Sequence, residues 1–217
     1  MERPSNRSFK LRGARITQAQ ATAIAKYGES YLLPTDQPFD PRELFPGQPV
    51  IMEIGTGMGE ATAQIALSLP ETGFIGVEVH RPGIGALLAR IAQEEISNLR
   101  LIREDAHIVL GNLIPDKSLD AIHLYFPDPW PKSKHWKRRI IQSEFLELVS
   151  RKIKKGGYVH IATDWVPYAE WIQKHFASSE LFEGGEISKP EFRPETRFEG
   201  QGIKKGHRVT DLLYRVK

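Results

Sequence analysis

From residue 50 onward, short runs of apolar residues alternate with longer stretches in which apolar residues recur at helical spacing. The apolar runs predict strands at 50–54, 73–79, 99–104, 119–126 and 157–163. The stretches between them predict helices near 59–69, 83–96, 106–113, 138–154 and 165–177. Continuously apolar strands separated by helices are typical of a parallel sheet that is covered on both faces. The pattern therefore predicts a doubly wound, Rossmann-like α/β fold.

The segments on either side of this core have different patterns. Residues 16–32 predict a helix with Thr17 as its N-cap, and residues 33–49, with five prolines, predict a connecting loop. Two later apolar runs predict strands that close one edge of the sheet, at 180–188 and 208–216. The basic, aperiodic start of the chain predicts a flexible arm over residues 1–15, followed by a single domain over 16–217.

Composition excludes several classes of protein. Of the 217 residues, 40% are hydrophobic and 26% are charged, which is ordinary for a globular protein. No run reaches the roughly 18 apolar residues that a membrane-spanning helix needs, and the polar start lacks the apolar segment of a secretory signal. The absence of cysteine excludes disulfides, thiolate nucleophiles and cysteine-ligated zinc. The seven histidines are scattered, so we predict no metal site, and we expect a cytoplasmic protein.

Positive charge is concentrated in two segments, although the formal net charge is only +3. Residues 1–15 contain five Lys/Arg and one acid, and residues 132–139 contain five Lys/Arg and no acid. Segregated positive charge is typical of a protein that binds a polyanion such as a nucleic acid. The alternative, which charge alone leaves open, is two solvated basic loops.

A glycine-rich loop follows the first predicted strand, in the order Glu53-Ile54-Gly55-Thr56-Gly57-Met58-Gly59-Glu60. Glycines allow a sharp turn and a close approach to a ligand. A dinucleotide fingerprint, G-x-G-x-x-G, would place its last glycine where this chain has Glu60. An acid beside the loop would repel a pyrophosphate but attract the sulfonium and ammonium groups of S-adenosylmethionine. The loop therefore favours a methyl donor over NAD, and an NAD-dependent oxidoreductase is the weakest alternative.

Two more acids follow neighbouring strands. Glu78 ends the second strand, where a carboxylate can accept hydrogen bonds from ribose hydroxyls. Asp105 follows the third strand, where it could accept a hydrogen bond from an adenine amino group. Alternatively, Glu78 is a solvated strand end and Asp105 is a helix N-cap. Three acids at three strand ends around one glycine loop favour a cofactor site.

The fourth strand runs into a loop with three prolines in five residues, Tyr125-Phe126-Pro127-Asp128-Pro129-Trp130-Pro131-Lys132. Prolines fix φ, so this loop is expected to hold Asp128 and Trp130 in place, as a preorganised site requires. A proline-rich turn with a partly buried tryptophan is the alternative.

Cations and aromatic residues are interleaved directly after this loop, in an order that suits phosphate binding and stacking on unpaired bases. The predicted RNA-interacting residues are Lys134, His135, Trp136, Lys137, Arg138 and Arg139. A solvated basic stretch at the start of a helix is the alternative, although helix starts prefer acids.

Five segments, taken together, resemble the bacterial tRNA (guanine-N7-)-methyltransferase family from about residue 7 to the C-terminus. In chain order they are RSFKLRGARITQAQ, EIGTGMGE, GVEVHRPG, YFPDPWPK and TRFE. The resemblance implies a seven-strand class I S-adenosylmethionine-dependent methyltransferase fold. It also implies methylation of guanine N7 in the variable loop of tRNA, at position 46.

The resemblance further implies roles for individual residues. Asp128 becomes the catalytic position, and cofactor contacts fall on Glu53, Glu78, Asp105 and Asp128, beside the loop glycines Gly55, Gly57 and Gly59. Substrate-binding positions fall on Lys132, Asp164, Thr196, Arg197, Phe198 and Glu199. This chain departs from the family in having Trp136 where the family usually has asparagine.

The expected chemistry needs alignment more than acid–base catalysis. Guanine N7 carries a lone pair and no proton, so methyl transfer requires in-line geometry and stabilisation of the positive charge that moves onto the purine. Asp128 suits that stabilising role, and Asp164 could share it or cap the helix that follows. Arg197, Lys204, Lys205 and Arg208 are predicted to grip phosphates.

Two other functions stay open at this stage. One is a methyltransferase for exocyclic amino groups, in which an Asp-Pro-Pro-aromatic loop holds the amine; here Pro129 is followed by Trp130 and a basic run. The other is a nucleic-acid-binding module with a vestigial cofactor fold, which the intact set of acids argues against. The chain could act as a monomer or a homodimer, and no obligate protein partner is indicated.

Overall fold

The computed structural model describes residues 7–9, 15–195, 199 and 208–217. Most of the predicted N-terminal arm, residues 1–6 and 10–14, therefore lies outside the described residues. The same holds for five predicted substrate or phosphate contacts, namely Thr196, Arg197, Phe198, Lys204 and Lys205.

Helices and strands alternate along the described chain, as the sequence pattern predicts. The helices are Gln18–Tyr31 (α1), Pro41–Leu44 (α2), Glu60–Ser68 (α3), Arg81–Gln93 (α4), Ala106–Ile108 (α5), Ser143–Lys152 (α6) and Val166–Ala177 (α7). The strands are Val50–Ile54 (β1), Gly73–Val77 (β2), Leu99–Ile102 (β3), Leu119–Tyr125 (β4), Ile153–Thr163 (β5), Phe182–Ile187 (β6) and Thr210–Val216 (β7). A π-helical turn, Val109–Leu113, continues α5, and a 3₁₀ helix, Ser133–Arg138, follows the loop after β4.

The seven strands form one sheet in the order β3-β2-β1-β4-β5-β7-β6. Strands β1 to β5 are parallel, whereas β7 is antiparallel to both β5 and β6. This confirms the predicted doubly wound α/β fold and its two additional edge strands. Strand order reverses between β1 and β4, and in such sheets ligands bind outside the carboxyl ends of the strands at that point.

Helices cover both faces of the sheet, which explains why the central strands are continuously apolar. One face packs against α1, α3 and α4, with Ile84 and Leu88 among the fully buried side chains. The other face packs against α6 and α7, with Phe145 and Ile172 in its core. Every residue of β1 and of β2 is buried. Within the described ranges, no helix is long and apolar enough to cross a membrane.

The structure differs from the predicted pattern mainly after β4. The helix predicted at 138–154 is divided into a 3₁₀ helix that ends at Arg138, an extended linker, and α6, which begins at Ser143. The linker is held by the Gln142 side chain, whose Nε2 donates to the carbonyl oxygens of Trp136 and Arg139 at 2.9 and 3.2 Å. The short helix α2 also lies in the predicted connecting loop, where Asp40 caps it.

Candidate active site

A cavity of about 630 Å³ opens at the carboxyl ends of the parallel strands, beside the point where strand order reverses. Its wall brings together the residues that the sequence assigns to the cofactor: Glu53, Gly55, Gly57, Gly59, Glu78, Asp105 and Asp128. These residues span 76 positions of sequence, and the parallel topology places them at one edge of the sheet because each follows a strand. The volume lies in the range of small-molecule sites.

The glycine loop turns with left-handed backbone at all three of its glycines. The φ angles are 81° at Gly55, 58° at Gly57 and 79° at Gly59. Gly59 is also crowded, because a Cβ atom there would lie 2.6 Å from the Leu87 side chain on α4. Residue types other than glycine rarely adopt positive φ angles. The three glycines are therefore required by the backbone conformation of the loop as well as by access for a ligand.

Glu53 is the most unusual group in the cavity. The side chain is 4% exposed, and its Oε1 accepts a hydrogen bond from Thr62 Oγ1 at 3.0 Å. Among the described residues, no donor bonds to its other oxygen, Oε2. Burial raises the pKa of Glu53 to about 7, with a smaller contribution from the charge of Glu78 and an opposing one from the Thr62 hydrogen bond. The cavity therefore offers a buried acceptor atom, Oε2, that has no donor among the described residues.

Glu78, in contrast, is held by the backbone on both of its oxygens. Oε2 accepts from the Gly57 N–H and Oε1 from the His80 N–H, each at 2.8 Å. The carboxylate thus connects the glycine loop to the start of α4. The two elements are in close contact, since a Cβ atom on Gly83 would lie 2.2 Å from the Gly57 carbonyl oxygen. Glu78 is 5% exposed, so the solvated-strand-end interpretation does not hold.

Asp105 combines the two roles considered from sequence. It is the N-cap of α5, where its Oδ1 accepts from the His107 N–H at 3.0 Å. It is also 2% exposed and lines the cavity. Capping and lining are compatible because a carboxylate offers about four acceptor positions.

The loop that carries Asp128 has a strained backbone on both sides of that residue. Phe126 and Trp130 have φ angles of 50° and 44°, which non-glycine residues rarely adopt. Trp130 is 4% exposed, and its Nε1 donates to the Ser8 carbonyl oxygen at 2.9 Å. Strain that the surrounding structure maintains is typical of functional loops. Half-buried Asp128 lies between these two residues and lines the cavity.

The basic segment after this loop has an outer and an inner part. Lys132, Lys134 and Lys137 are exposed, and Trp136 is 42% exposed. His135 and Arg138 are half-buried against the Trp130 ring, with distances to its centroid of 5.6 Å for the His135 ring and 4.6 Å for Arg138 Cζ.

Arg139 differs from the other residues predicted to contact RNA. It is 3% exposed and lies under aromatic rings. A buried guanidinium cannot meet a phosphate at the protein surface, so we remove Arg139 from the predicted RNA contacts.

Asp164 follows β5, next to the β4 end from which the Asp128 loop departs. It does not cap α7, whose N-cap is Trp165 and which has no side-chain cap hydrogen bond. The structural alternative considered for Asp164 is therefore not realised. Asp164 and Asp128 follow neighbouring strands at the same edge of the sheet.

Glu199, predicted to bind substrate, is 4% exposed and belongs to a buried polar network. Arg193 donates from Nη1 to Glu199 Oε2 at 2.6 Å, and from Nε and Nη2 to the two oxygens of Asp211 at 2.7 Å each. Asp211 Oδ1 also lies 2.8 Å from His160 Nε2, and His160 Nδ1 lies 3.0 Å from the Tyr125 hydroxyl. Tyr125 lines the cavity, so the network connects the TRFE segment to the cavity wall.

Sequence reasoning missed several residues of this site. Thr62 orients Glu53 and Gly83 admits the glycine loop, while Ser8 and Phe9 of the predicted arm line the cavity. Gly83 could have been found, because it lies in the quoted segment GVEVHRPG. Ser8 and Phe9 likewise lie in the quoted segment RSFKLRGARITQAQ, whereas no local pattern marks Thr62.

Comparisons with known proteins agree with this geometry. Residues 47–212 match a family model described as "Putative methyltransferase". The chain is 48% identical to the tRNA (guanine-N(7)-)-methyltransferase of Methylobacillus flagellatus, over 97% of this chain and 91% of that protein. It is 44% identical to the protein of the same name from Nitrosomonas europaea, over 97% of this chain and 96% of that protein.

Solved structures with low sequence identity share the fold. The 16S rRNA methyltransferase KamB superposes with a TM-score of 0.60 at 15% identity, over 81% of this chain and 92% of that one. The precorrin-6y C5,15-methyltransferase of Geobacter metallireducens gives a TM-score of 0.53 at 13% identity, over 81% and 84%. The seven-strand class I methyltransferase fold is thus confirmed. By its sequence identity to these full-length relatives, the chain belongs to the tRNA (guanine-N(7)-)-methyltransferase family.

Proposed function

We propose that this protein transfers a methyl group from S-adenosylmethionine to N7 of a guanine in the variable loop of tRNA, at position 46. Family membership supports the reaction. The observation that carries the proposal is one cavity lined both by Glu53, a buried carboxylate with no cation partner among the described residues, and by a strained loop bearing Asp128. An exposed basic segment directly follows that loop.

The hydrogen-bond acceptors that line the cavity fit S-adenosylmethionine. The unpaired Oε2 of Glu53 suits the ammonium group, and the backbone-held carboxylate of Glu78 has further acceptor positions for ribose hydroxyls. A pyrophosphate would meet six acidic residues along the same wall, namely Glu53, Glu60, Glu78, Glu104, Asp105 and Asp128. Net negative charge in a small cavity favours the cationic donor and opposes a dinucleotide. When bound, S-adenosylmethionine supplies an electrophilic methyl group on a sulfonium.

The contribution of the chain to the reaction is alignment and charge. No base is required, because guanine N7 already has a lone pair. Asp128 is held in the cavity wall by a loop of fixed φ angles, where its carboxylate can stabilise the positive charge that develops on the purine. Asp164, at the end of the neighbouring strand, is placed to share this role. The target base must leave its stack to reach the cavity.

We assign the RNA-facing role to the outer part of the basic segment. Lys132, Lys134 and Lys137 are exposed and can contact phosphates, and Trp136 offers an exposed ring for stacking. Half-buried His135 and Arg138 complete this surface. Among the family substrate positions, Thr196, Arg197 and Phe198 remain predictions from the resemblance, and Glu199 contributes through its ion pair with Arg193.

We further propose that the protein acts in the cytoplasm, as a monomer or a homodimer, with tRNA as its macromolecular partner. The tRNA substrate supports this location. Sedimentation of the protein with and without tRNA distinguishes the two oligomeric states.

Methyl transfer from labelled S-adenosylmethionine to unmodified tRNA, followed by nucleoside analysis, tests the reaction. We expect 7-methylguanosine, lost when the variable-loop guanosine is replaced. Label in another nucleoside would contradict the assigned acceptor, and no label despite cofactor binding would contradict the tRNA substrate.

Asp128→Asn tests the catalytic assignment with nearly unchanged side-chain volume. Because it removes the charge that stabilises the transition state, we expect kcat to fall by roughly 10²-fold or more while the thermal midpoint stays close to wild type. Near-normal turnover in this variant would contradict the role of Asp128.

A further inference from the structure

Arg139 lies in an aromatic cage although the sequence places it in a basic, RNA-binding run. Its guanidinium carbon is 4.5 Å from the centroid of the Trp171 ring, 5.0 Å from that of Trp136, 5.2 Å from that of Tyr168 and 5.5 Å from that of Trp165. The residue is 3% exposed. All four distances lie within the range of cation–π contacts.

No carboxylate of the described residues forms an ion pair with Arg139. The charge is stabilised by ring faces and by one main-chain acceptor, because Arg139 Nε donates to the Pro129 carbonyl oxygen at 2.9 Å. Burial lowers the pKa of Arg139 from its ordinary value, opposed only by Tyr168. A planar guanidinium suits such a site, since it can stack on aromatic faces and still donate in its own plane.

The contacts of Arg139 join two elements of the active site. Pro129, its hydrogen-bond partner, lies between Asp128 and Trp130 in the strained loop. Trp165, one wall of the cage, directly follows Asp164 and is the N-cap of α7.

One further hydrogen bond fixes the cage itself. Tyr168 and Trp171 lie in the first two turns of α7, and Trp171 Nε1 donates to the Ile141 carbonyl oxygen at 2.9 Å. The extended linker is thereby anchored to α7 through the Arg139 guanidinium and again at Ile141, two residues later.

We propose that Arg139 is a positioning residue, which holds the Asp128 loop against the start of α7 and thereby sets the relative placement of Asp128 and Asp164. It does not contact RNA. This inference rests on the proposed methyl transfer to tRNA for its kinetic consequences, and on the cage geometry alone for its structural ones.

Arg139→Lys is the informative substitution because it keeps the positive charge. Lysine has no planar face to fill the cage and cannot reproduce the in-plane Nε–H donor to Pro129. We expect kcat to fall by roughly 10- to 100-fold, since small misplacements of catalytic groups have effects of this size. The KM for tRNA is expected to stay within about twofold of wild type, because no phosphate contact is lost.

Lys137→Gln is the matched control, two positions earlier on the exposed side of the same segment. We expect the reverse pattern: kcat within about twofold of wild type, a higher KM for tRNA, and a salt dependence of tRNA binding shallower by roughly 0.7 to 0.9 in log–log slope. If Arg139→Lys instead raised KM and flattened the salt dependence with kcat unchanged, Arg139 would be an RNA contact. If it changed neither, the positioning role would be excluded.

Hydrogen exchange gives a readout that does not depend on activity. We expect the amides of Phe126, Asp128 and Trp130 to exchange at least about tenfold faster in Arg139→Lys, and at the wild-type rate in Lys137→Gln. Calorimetric binding of S-adenosylmethionine to both variants verifies that each is folded. If Arg139→Lys does not fold, the same exchange measurement is made on Trp171→Phe, which removes the hydrogen bond to Ile141.

The outcomes separate the two proposals. Wild-type protein that makes no 7-methylguanosine contradicts the proposed function, whereas unchanged exchange of the loop amides in the folded variant contradicts the positioning role. If Trp171→Phe is the variant measured, unchanged exchange of the same loop amides likewise contradicts the positioning role.

Discussion

Two buried carboxylates, Glu53 at the end of β1 and Asp211 in β7, have opposite electrostatic surroundings. Burial raises the pKa of Glu53 to about 7, because Thr62 is its only hydrogen-bond partner among the described residues. Burial would also raise the pKa of Asp211, but hydrogen bonds from His160 and Arg193 outweigh it and lower the pKa below its ordinary value. Both side chains are equally buried, at 4% exposure.

The difference separates a ligand site from a structural one. Asp211 has its cation within the protein, so its cluster is electrostatically complete and stabilises the fold. Glu53 has no cation among the described residues, and a buried carboxylate without a cation is expected to find one in a ligand. Arg139 is a third solution, in which aromatic faces take the place of a counter-ion.

The largest expected effect is the loss of stability when the buried cluster of Arg193, Asp211 and Glu199 is disrupted. Arg193→Met removes the buried cation that Asp211 and Glu199 share, so that Asp211 keeps only His160 and Glu199 only the more exposed Lys189. Removing one partner of a buried ion pair is strongly destabilising. We expect the free energy of unfolding to fall by about 3–5 kcal/mol, measured by urea denaturation at pH 7. A loss below about 1 kcal/mol would contradict the view that this cluster depends on Arg193.

Glu53→Gln is expected to have the opposite effect on stability. The substitution removes a charge that has no partner, so above pH 7 the protein without ligand should be more stable by about 1–3 kcal/mol in urea denaturation. Affinity for S-adenosylmethionine should fall by roughly 30-fold, because a charge-assisted hydrogen bond contributes about 2 kcal/mol. Calorimetry tests the second part, and unchanged affinity would exclude Glu53 as the cation acceptor.

The raised pKa of Glu53 predicts a smaller effect, a pH dependence of both stability and affinity for S-adenosylmethionine. Since the folded-state value of about 7 exceeds the ordinary 4.5, the folded protein holds an extra proton between these values. The free energy of unfolding should therefore decrease as pH rises through this window. Affinity for the cationic donor should increase by roughly tenfold between about pH 5.5 and pH 7, because the carboxylate form binds it. Glu53→Gln is the control and should show neither trend.

For Asp211, we expect stability to depend on pH in a lower, more acidic range. Its pKa is lowered, so its stabilising contribution is complete above the ordinary value of 3.8 and is lost as pH falls below that value. Glu53 and Asp211 can therefore be distinguished within one pH titration of unfolding.

Several features follow from the sequence alone. The strands are recognisable because apolar runs mark burial on both faces, and the parallel topology then places Glu53, Glu78, Asp105 and Asp128 at one edge of the sheet. Glycine spacing and the proline-rich loop are also local signals, and the resemblance to the methyltransferase family uses the same residues. All seven predicted cofactor residues line one cavity for this reason.

Other features depend on contacts between distant residues, which local patterns do not encode. Lys137 and Arg139 are neighbours in one basic run, yet only Arg139 is buried, because the rings of Trp165, Tyr168 and Trp171 come from α7. The same contacts interrupt the helix predicted at 138–154 near its start, since an extended linker brings Arg139 into the cage and α6 begins only at Ser143.

The tertiary structure also decides which buried charges have partners. Glu53 and Asp211 are both acids of a predicted strand; the glycine loop marks Glu53 as a ligand candidate, but no sequence pattern shows which of the two carboxylates has a cation within the protein. Arg193 reaches Asp211 and Glu199 because the segment that precedes TRFE packs against β7, the strand that carries Asp211. From sequence we predict which residues carry the chemistry, whereas the packing of α7 and β7 determines which buried charges have partners among the described residues. Glu53 has no cation among them, and we propose that its cation comes from a ligand.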